Sequence, residues 1–268
     1  MKQFIELEGR RLAYLDEGNG PVIVFGHSYL WDSAMWAPQV NALKEHYRCI
    51  VPELWGHGDS DALPAGHLTL ETLARQHLAL LDTLGIDQFV LVGLSIGGMW
   101  GIELSQLAGS RLKGLVLMDT FVGLEPQITC ERYLGMLGAI EAARQVPDAI
   151  ARQVAPLFFR QQPDEAMLSA FIERLTHWPA EKIDALVAVG RSFVTRADRM
   201  EWLETLTCPA QVITGCEDRA RPVLEGYLMA DTLGIALIEI AGAGHISTLE
   251  QPERVNAALT GFLRQCGW

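Results

Sequence analysis

Phe89-Val90-Leu91-Val92-Gly93-Leu94-Ser95-Ile96-Gly97-Gly98-Met99 is the stretch whose reading decides the fold. A short apolar run has the pattern of a buried strand, and the residues from Met99 onward have the pattern of a helix. Between them stands a G-x-S-x-G pentapeptide. Glycine at 93 and 97 leaves no Cβ where strand and helix approach most closely, so Ser95 is expected in a strained turn with its hydroxyl pointing out of the sheet. An ordinary Gly/Ser loop fits the pentapeptide alone equally well, and the remainder of the chain has to decide between the two.

A serine at its free pKa is a weak nucleophile. It needs a histidine as base and a carboxylate to hold that histidine in the correct tautomer. Ile238-Glu239-Ile240 reads as a strand, and the small residues Ala241-Gly242-Ala243-Gly244 behind it present His245, the candidate base. The strand-like run Ala210-Gln211-Val212-Ile213-Thr214 ends in Gly215-Cys216-Glu217-Asp218, which makes Asp218 the candidate orienting acid. Asp119 is the rival acid, because it follows the strand-like Leu115-Val116-Leu117-Met118 directly. An oxyanion hole requires two backbone N–H donors. Ile96, next after the serine, supplies one; Tyr29 supplies the other from the turn Gly26-His27-Ser28-Tyr29-Leu30 that follows Val22-Ile23-Val24-Phe25.

Over nearly its whole length the chain resembles an α/β-hydrolase-fold serine hydrolase of the carboxylesterase, enol-lactonase and cofactor-free haloperoxidase branch. The resemblance is carried by Phe25 to Trp36, by Pro52-Glu53-Leu54-Trp55-Gly56-His57-Gly58-Asp59-Ser60-Asp61, by the serine turn, by Leu115 to Thr120, and by the acid and histidine loops. The order Ser95, Asp218, His245 is the one this family uses. Two departures stand out. Ser28 occupies the place where the family usually has glycine, as in the enol-lactonase branch it resembles, which also tolerates serine there, and Glu53 and Trp55 stand where the family usually has Asp and Arg; the second departure is expected to have no catalytic consequence.

The implied architecture is α/β, a mostly parallel sheet flanked by helices with an inserted helical cap. The expected core is 1–122 and 203–268. Strands alternating with helices, beginning with a hairpin of Phe4 to Leu7 and Arg11 to Leu15, give the same class independently. From 123 to 202 the alternation stops and only helix-like segments remain, Ile128 to Arg144, Ala149 to Phe159, Pro163 to Leu175 and Ala180 to Phe193, expected as the cap after the sixth strand. Its rings and thioethers, Tyr133, Met136, Phe158, Phe159 and Trp178, are expected to line an apolar acyl pocket together with Trp31, Met99 and Phe121. Arg132, Arg152, Arg160, Arg174 and Lys182 are expected on the cap's solvated outer face.

With 268 residues, 49% of them hydrophobic, the chain can bury a large core. Twenty-one basic against 33 acidic residues give a net charge of −12, which disfavours nucleic acid and anionic membrane surfaces as partners. No signal peptide or membrane span is expected, and the five scattered cysteines are expected as reduced thiols, pointing to a cytoplasmic location. Self-association into a homo-oligomer is left open. No metal site is expected for want of a His/Cys cluster, and no dinucleotide cofactor for want of a Gly-rich phosphate turn after the first strand. His57 is expected to tie down a loop; His27, beside the oxyanion turn, is only a minority candidate for orienting it, and His46, His67, His77 and His177 belong to no motif.

The expected reaction is acyl transfer from a small ester to water through an acyl-enzyme. A lactonase is the second reading, a carbon–carbon-bond hydrolase the third. From another class, a non-catalytic ligand receptor is disfavoured by the complete set of Ser95, Asp218 and His245.

Overall fold

The computed structural model describes residues 2–64 and 68–268 of the chain, so His67 lies outside the described residues. The chain opens with a hairpin, β1 (Gln3–Leu7) against β2 (Arg10–Glu17), with Leu7 opposite Arg10. Glu8 and Gly9 form its two-residue loop at φ +51° and +74°, the turn whose twist matches that of the strands it joins.

From there the alternation expected from the sequence holds. β3 (Val22–Gly26), α1 (Ala37–Leu43), β4 (Arg48–Pro52), α2 (Leu70–Thr83), β5 (Phe89–Leu94), α3 (Ile96–Ala108) and β6 (Leu112–Met118) follow in order. Leu73, His77, Leu80 and Leu81 of α2 are buried, the face that helical spacing assigns to the sheet, and Thr69 caps that helix by accepting from the Thr72 N–H at 3.0 Å.

Four helices then run without an intervening strand: α4 (Gln127–Ala143), α5 (Asp148–Val154), α6 (Glu165–Thr176) and α7 (Ile183–Val194). The segment expected as one helix to Phe159 is broken. α5 stops at Val154 and a 3₁₀ turn covers Ala155–Phe158, because Pro156 has no N–H to continue the ladder. α6 starts later than Pro163, at Glu165, where the Asp164 carboxylate caps it by accepting from the Ala166 and Met167 N–H groups. The chain returns to the sheet through α8 (Met200–Glu204), β7 (Ala210–Gly215), α9 (Val223–Leu233) and β8 (Leu237–Ile240), and ends with α10 (Ser247–Glu250) and α11 (Pro252–Gln265).

The eight strands form one sheet in the order β1-β2-β4-β3-β5-β6-β7-β8, with β1 and β2 antiparallel to their neighbours and all other pairs parallel. β5 is buried at every position, as its continuous apolar run requires of a strand covered on both faces. The strand order reverses at β3, whose neighbours are β4 and β5, and Gly26 at its end pairs with Gly93. At such a reversal the connections leave to opposite faces and open a crevice at the carboxyl ends of the strands. Ser95 and the turn after Gly26 both sit there.

Candidate active site

Ser95 has φ +57° and ψ −121°, a strained conformation for a residue with a Cβ, held by its neighbours. A Cβ on Gly93 would fall 2.3 Å from the Gly97 carbonyl oxygen, and one on Gly97 would fall 2.2 Å from that of Gly26. Both glycines are therefore required by contact. The Ser95 N–H is spent on the Met118 carbonyl, its carbonyl accepts from the Gly98 and Met99 N–H groups and the Thr120 hydroxyl, and its side chain makes no capping bond. The hydroxyl is left facing the pocket.

His245 and Asp218 meet at 2.8 Å, Nδ1 to Oδ2, with both side chains almost fully buried. The other oxygen, Oδ1, accepts from the Ala220 and Arg221 N–H groups at 2.8 Å each, so the carboxylate is fixed by its own turn. A neutral imidazole held this way carries its proton on Nδ1 and turns the Nε2 lone pair toward the pocket. The edge of Phe158 covers the ring, 5.2 Å between centroids. Ser95 and His245 share the same cavity without a mutual hydrogen bond, a geometry common before substrate binds. Asp119 is brought elsewhere. It is fully buried, with Oδ1 accepting from the Gly215 N–H at 2.7 Å and Oδ2 2.6 Å from the Ser247 hydroxyl. Burial, reinforced by the Asp218 charge, pushes its carboxyl well above the usual range.

The turn after β3 is set by buried groups. The Ser28 N–H points at Met35 Sδ, 3.3 Å, and the hydrogen bonds of the described residues include none from the N–H groups of Tyr29 or Ile96. Those are the two donors expected for an oxyanion. His27 pins the turn, with Nδ1 2.8 Å from the Ser28 carbonyl and Nε2 accepting from the Leu54 N–H at 2.9 Å. Glu53 is fully buried and also structural. It accepts from the Ser33 N–H at 3.2 Å and the Asp59 N–H at 2.7 Å and pairs with Lys2, joining the segments on either side of β4. His57 holds its loop through Nδ1, 2.8 Å from the Trp55 carbonyl, and burial pushes both His27 and His57 toward the neutral form.

Above Ser95 and His245 lies a cavity of about 100 Å³. Of the eight side chains expected to line it, Met99, Tyr133, Met136 and Phe158 do, and Trp31, Phe121, Phe159 and Trp178 do not. Trp31 is stacked on Phe171, 4.5 Å between centroids, beneath the Arg174 guanidinium. Phe159 is fully buried edge-on to both those rings. The Phe121 ring packs over Gly123, and Trp178 stands edge-on to His57 beside a separate cavity that Arg174 and Lys182 also line. The apolar aliphatics that do line the cavity above Ser95, among them Leu137, Ile140, Val146 and Ile150, were not anticipated. They come from the faces of α4 and α5 and the link between them, and helical spacing could have pointed to the first two.

Arg221 is the charged residue of the wall that was not anticipated. Its Nη2 bonds both oxygens of Glu125, 2.7 and 2.8 Å, and Arg196 bonds the same carboxylate at 2.9 Å, all three nearly inaccessible. Glu125 precedes α4 and Arg196 follows α7, so this ionic group fastens both ends of the helical insertion to the turn that carries Asp218. Two cations of the helical stretch between β6 and β7 depart from the outer-face expectation: Arg174 donates to the Leu30 carbonyl, and Lys182 donates to that of Gly58 at 2.7 Å. Among the described residues no three His, Cys, Asp or Glu side chains are grouped to hold a metal ion, and no helix is long and apolar enough to cross a membrane.

A sheet that reverses at β3, a serine in a strained turn after β5 and a histidine and acid from the loops after β8 and β7 define a hydrolase of the α/β type. The chain belongs to the α/β hydrolase fold family, whose model matches residues 21–252. It is 27% identical over 265 residues to a 3-oxoadipate enol-lactonase of Acinetobacter baylyi, covering 96% of this chain and 94% of that one. Among solved structures it is similar to a thermophilic esterase from Thermogutta terrifontis, described with malate bound, at TM-score 0.89 and 29% identity, covering 99% of both chains. It is also similar to the enol-lactonase from Burkholderia xenovorans, at TM-score 0.85 and 28% identity, covering 98% of this chain and 100% of that one.

Proposed function

We propose that the protein hydrolyses small to medium carboxylic esters by a serine mechanism. Ser95 Oγ attacks the ester carbonyl while His245 Nε2 takes its proton, and the Ile96 and Tyr29 N–H groups stabilise the oxyanion. His245 then gives the proton to the departing alkoxide, leaving Ser95 acylated. Water, losing a proton to the same nitrogen, attacks the acyl carbon; the bond to Ser95 Oγ breaks and the oxygen recovers that proton. Asp218 holds the imidazole and stabilises its charged form throughout.

The observation that supports this reading most is the pairing of His245 with Asp218 at 2.8 Å in the wall of the cavity that Ser95 also lines. The almost wholly apolar remainder of that wall suits a neutral acyl chain. A lactonase is the second reading, favoured by the enol-lactonases among its relatives, since a lactone is an ester opened by the same steps. A cytoplasmic enzyme needing no metal or organic cofactor completes the proposal. The deciding experiment treats the protein with a fluorophosphonate, maps the adduct, and measures initial rates on esters and lactones of graded chain length. An adduct on Ser95 and ester turnover are expected; neither would survive if the serine reading were wrong.

A further inference from the structure

Among the described residues the one side chain hydrogen-bonded to His245 Nε2 is that of Ser28, whose Oγ lies 3.4 Å away. Ser28 is fully buried, and its Oγ is also 3.4 Å from the Tyr29 carbonyl oxygen. A hydroxyl has one proton to donate and lone pairs to accept, and it rotates to suit its neighbours. These two partners give it two settings. Toward a neutral imidazole it donates to Nε2. Toward an imidazolium it donates to the Tyr29 carbonyl and accepts from the Nε2 proton.

We infer that Ser28 is a positioning residue that holds His245 Nε2 in both protonation states, a role additional to those of Ser95, Asp218 and the oxyanion donors. The inference rests on the serine-hydrolase reading for its effect on rate. Ser28 neither gains nor loses a proton in the cycle; the proton passes between Ser95 Oγ, Nε2 and the leaving alkoxide, or between water, Nε2 and Ser95, while the Ser28 hydroxyl turns. Ser95 shares the cavity with His245, and no other side chain of the described residues is hydrogen-bonded to that nitrogen. Asp218 is on Nδ1, Asp119 is turned to Ser247, Glu250 accepts from the Gly244 N–H, and Arg221 is paired with Glu125.

A hydrogen bond to a charged partner is about twice as strong as one between neutral groups, so Ser28 favours the imidazolium. In the full chain, Ser28→Ala and Ser28→Gly should each lower kcat about tenfold. KM should change less than about twofold, because Ser28 acts on the base and not on the bound acyl chain. The acid limb of kcat/KM should move to lower pH by about half a unit. A residue that only packs would leave that limb in place. In the unmodified protein, ¹⁵N-histidine spectra should show His245 Nε2 hydrogen-bonded in both its neutral and its protonated form. A kcat and an acid limb unchanged in both variants, or a neutral Nε2 with the shift of a free nitrogen, would overturn the inference. The spectrum does not depend on turnover, so failure of the serine-hydrolase reading would be seen separately, as unlabelled Ser95 with the Nε2 signal still hydrogen-bonded.

Discussion

Asp119 Oδ2 lies 2.6 Å from the Ser247 hydroxyl, two residues beyond His245 in the chain but not against the imidazole. The carboxylate at the end of β6 thus buttresses the histidine loop, and the one after β7 touches the ring. Asp218→Asn should lower kcat about 10³- to 10⁴-fold by presenting the wrong tautomer, while Asp119→Asn should cost about tenfold or less. Steady-state rates on one ester decide it; equal or reversed losses would transfer the orienting role to Asp119.

Asp119 also predicts a pH effect on stability. Its folded pKa is raised, so between its unfolded and folded values the native state binds the extra proton and stability falls as pH rises. Asp119→Asn removes that titration while leaving an oxygen for the Gly215 N–H. Urea unfolding should show the variant gaining stability relative to the parent as pH is raised from about 4 to 9. A constant difference across that range would mean that Asp119 is ionised in the fold.

Ser95→Ala should abolish fluorophosphonate labelling and lower ester turnover by at least about 10³-fold. The melting temperature should hold, since the Ser95 side chain makes no capping bond and alanine keeps the same backbone conformation. More than a tenth of parental turnover would sink the assignment of the nucleophile.

The strands, their alternation with helices and the turns and loops that carry Ser95, Asp218 and His245 were legible because each is local. A run of apolar residues, a pair of glycines or a loop after a strand is written in consecutive positions. The pocket wall was not. Trp31, Phe159 and Trp178 have the composition of lining residues, yet they are consumed by one another and by Phe171 and His57, and nothing in the sequence says which of two buried rings faces a void. Arg221 was missed for the same reason: its partner Glu125 is 96 residues away. The order Asp218-Arg219-Ala220-Arg221 shows only a basic stretch after an acid.

The Glu125 group yields a stability prediction. Glu125→Gln leaves Arg196 and Arg221, with side chains 3% and 7% exposed, short of their shared counter-charge. Breaking a buried pair from one side costs about 3 kcal/mol or more, which should lower the melting temperature by about 6 °C or more for a chain of this size. Loss of less than about 1 kcal/mol would show that Glu225, 3.6 Å from Arg221, supplies the charge instead.

Arg221 also sharpens the question of substrate charge. Among the described residues it is the one Arg or Lys in a cavity wall that is mostly Leu137, Ile140, Val154 and similar apolar groups beside Ser95 and His245, and Glu125 already holds it through two bonds. A substrate carboxylate would have to compete with that pair, and the net charge of −12 repels anions at long range. Neutral short and medium acyl esters should therefore show higher kcat/KM than lactones bearing a free carboxylate, measured in one buffer at low salt. Arg221→Gln should leave the neutral-ester KM within about threefold, since no charge is recognised there. A clear preference for the anionic lactone, erased by Arg221→Gln, would reverse the reading from esterase to lactonase and make Arg221 the residue that selects for it.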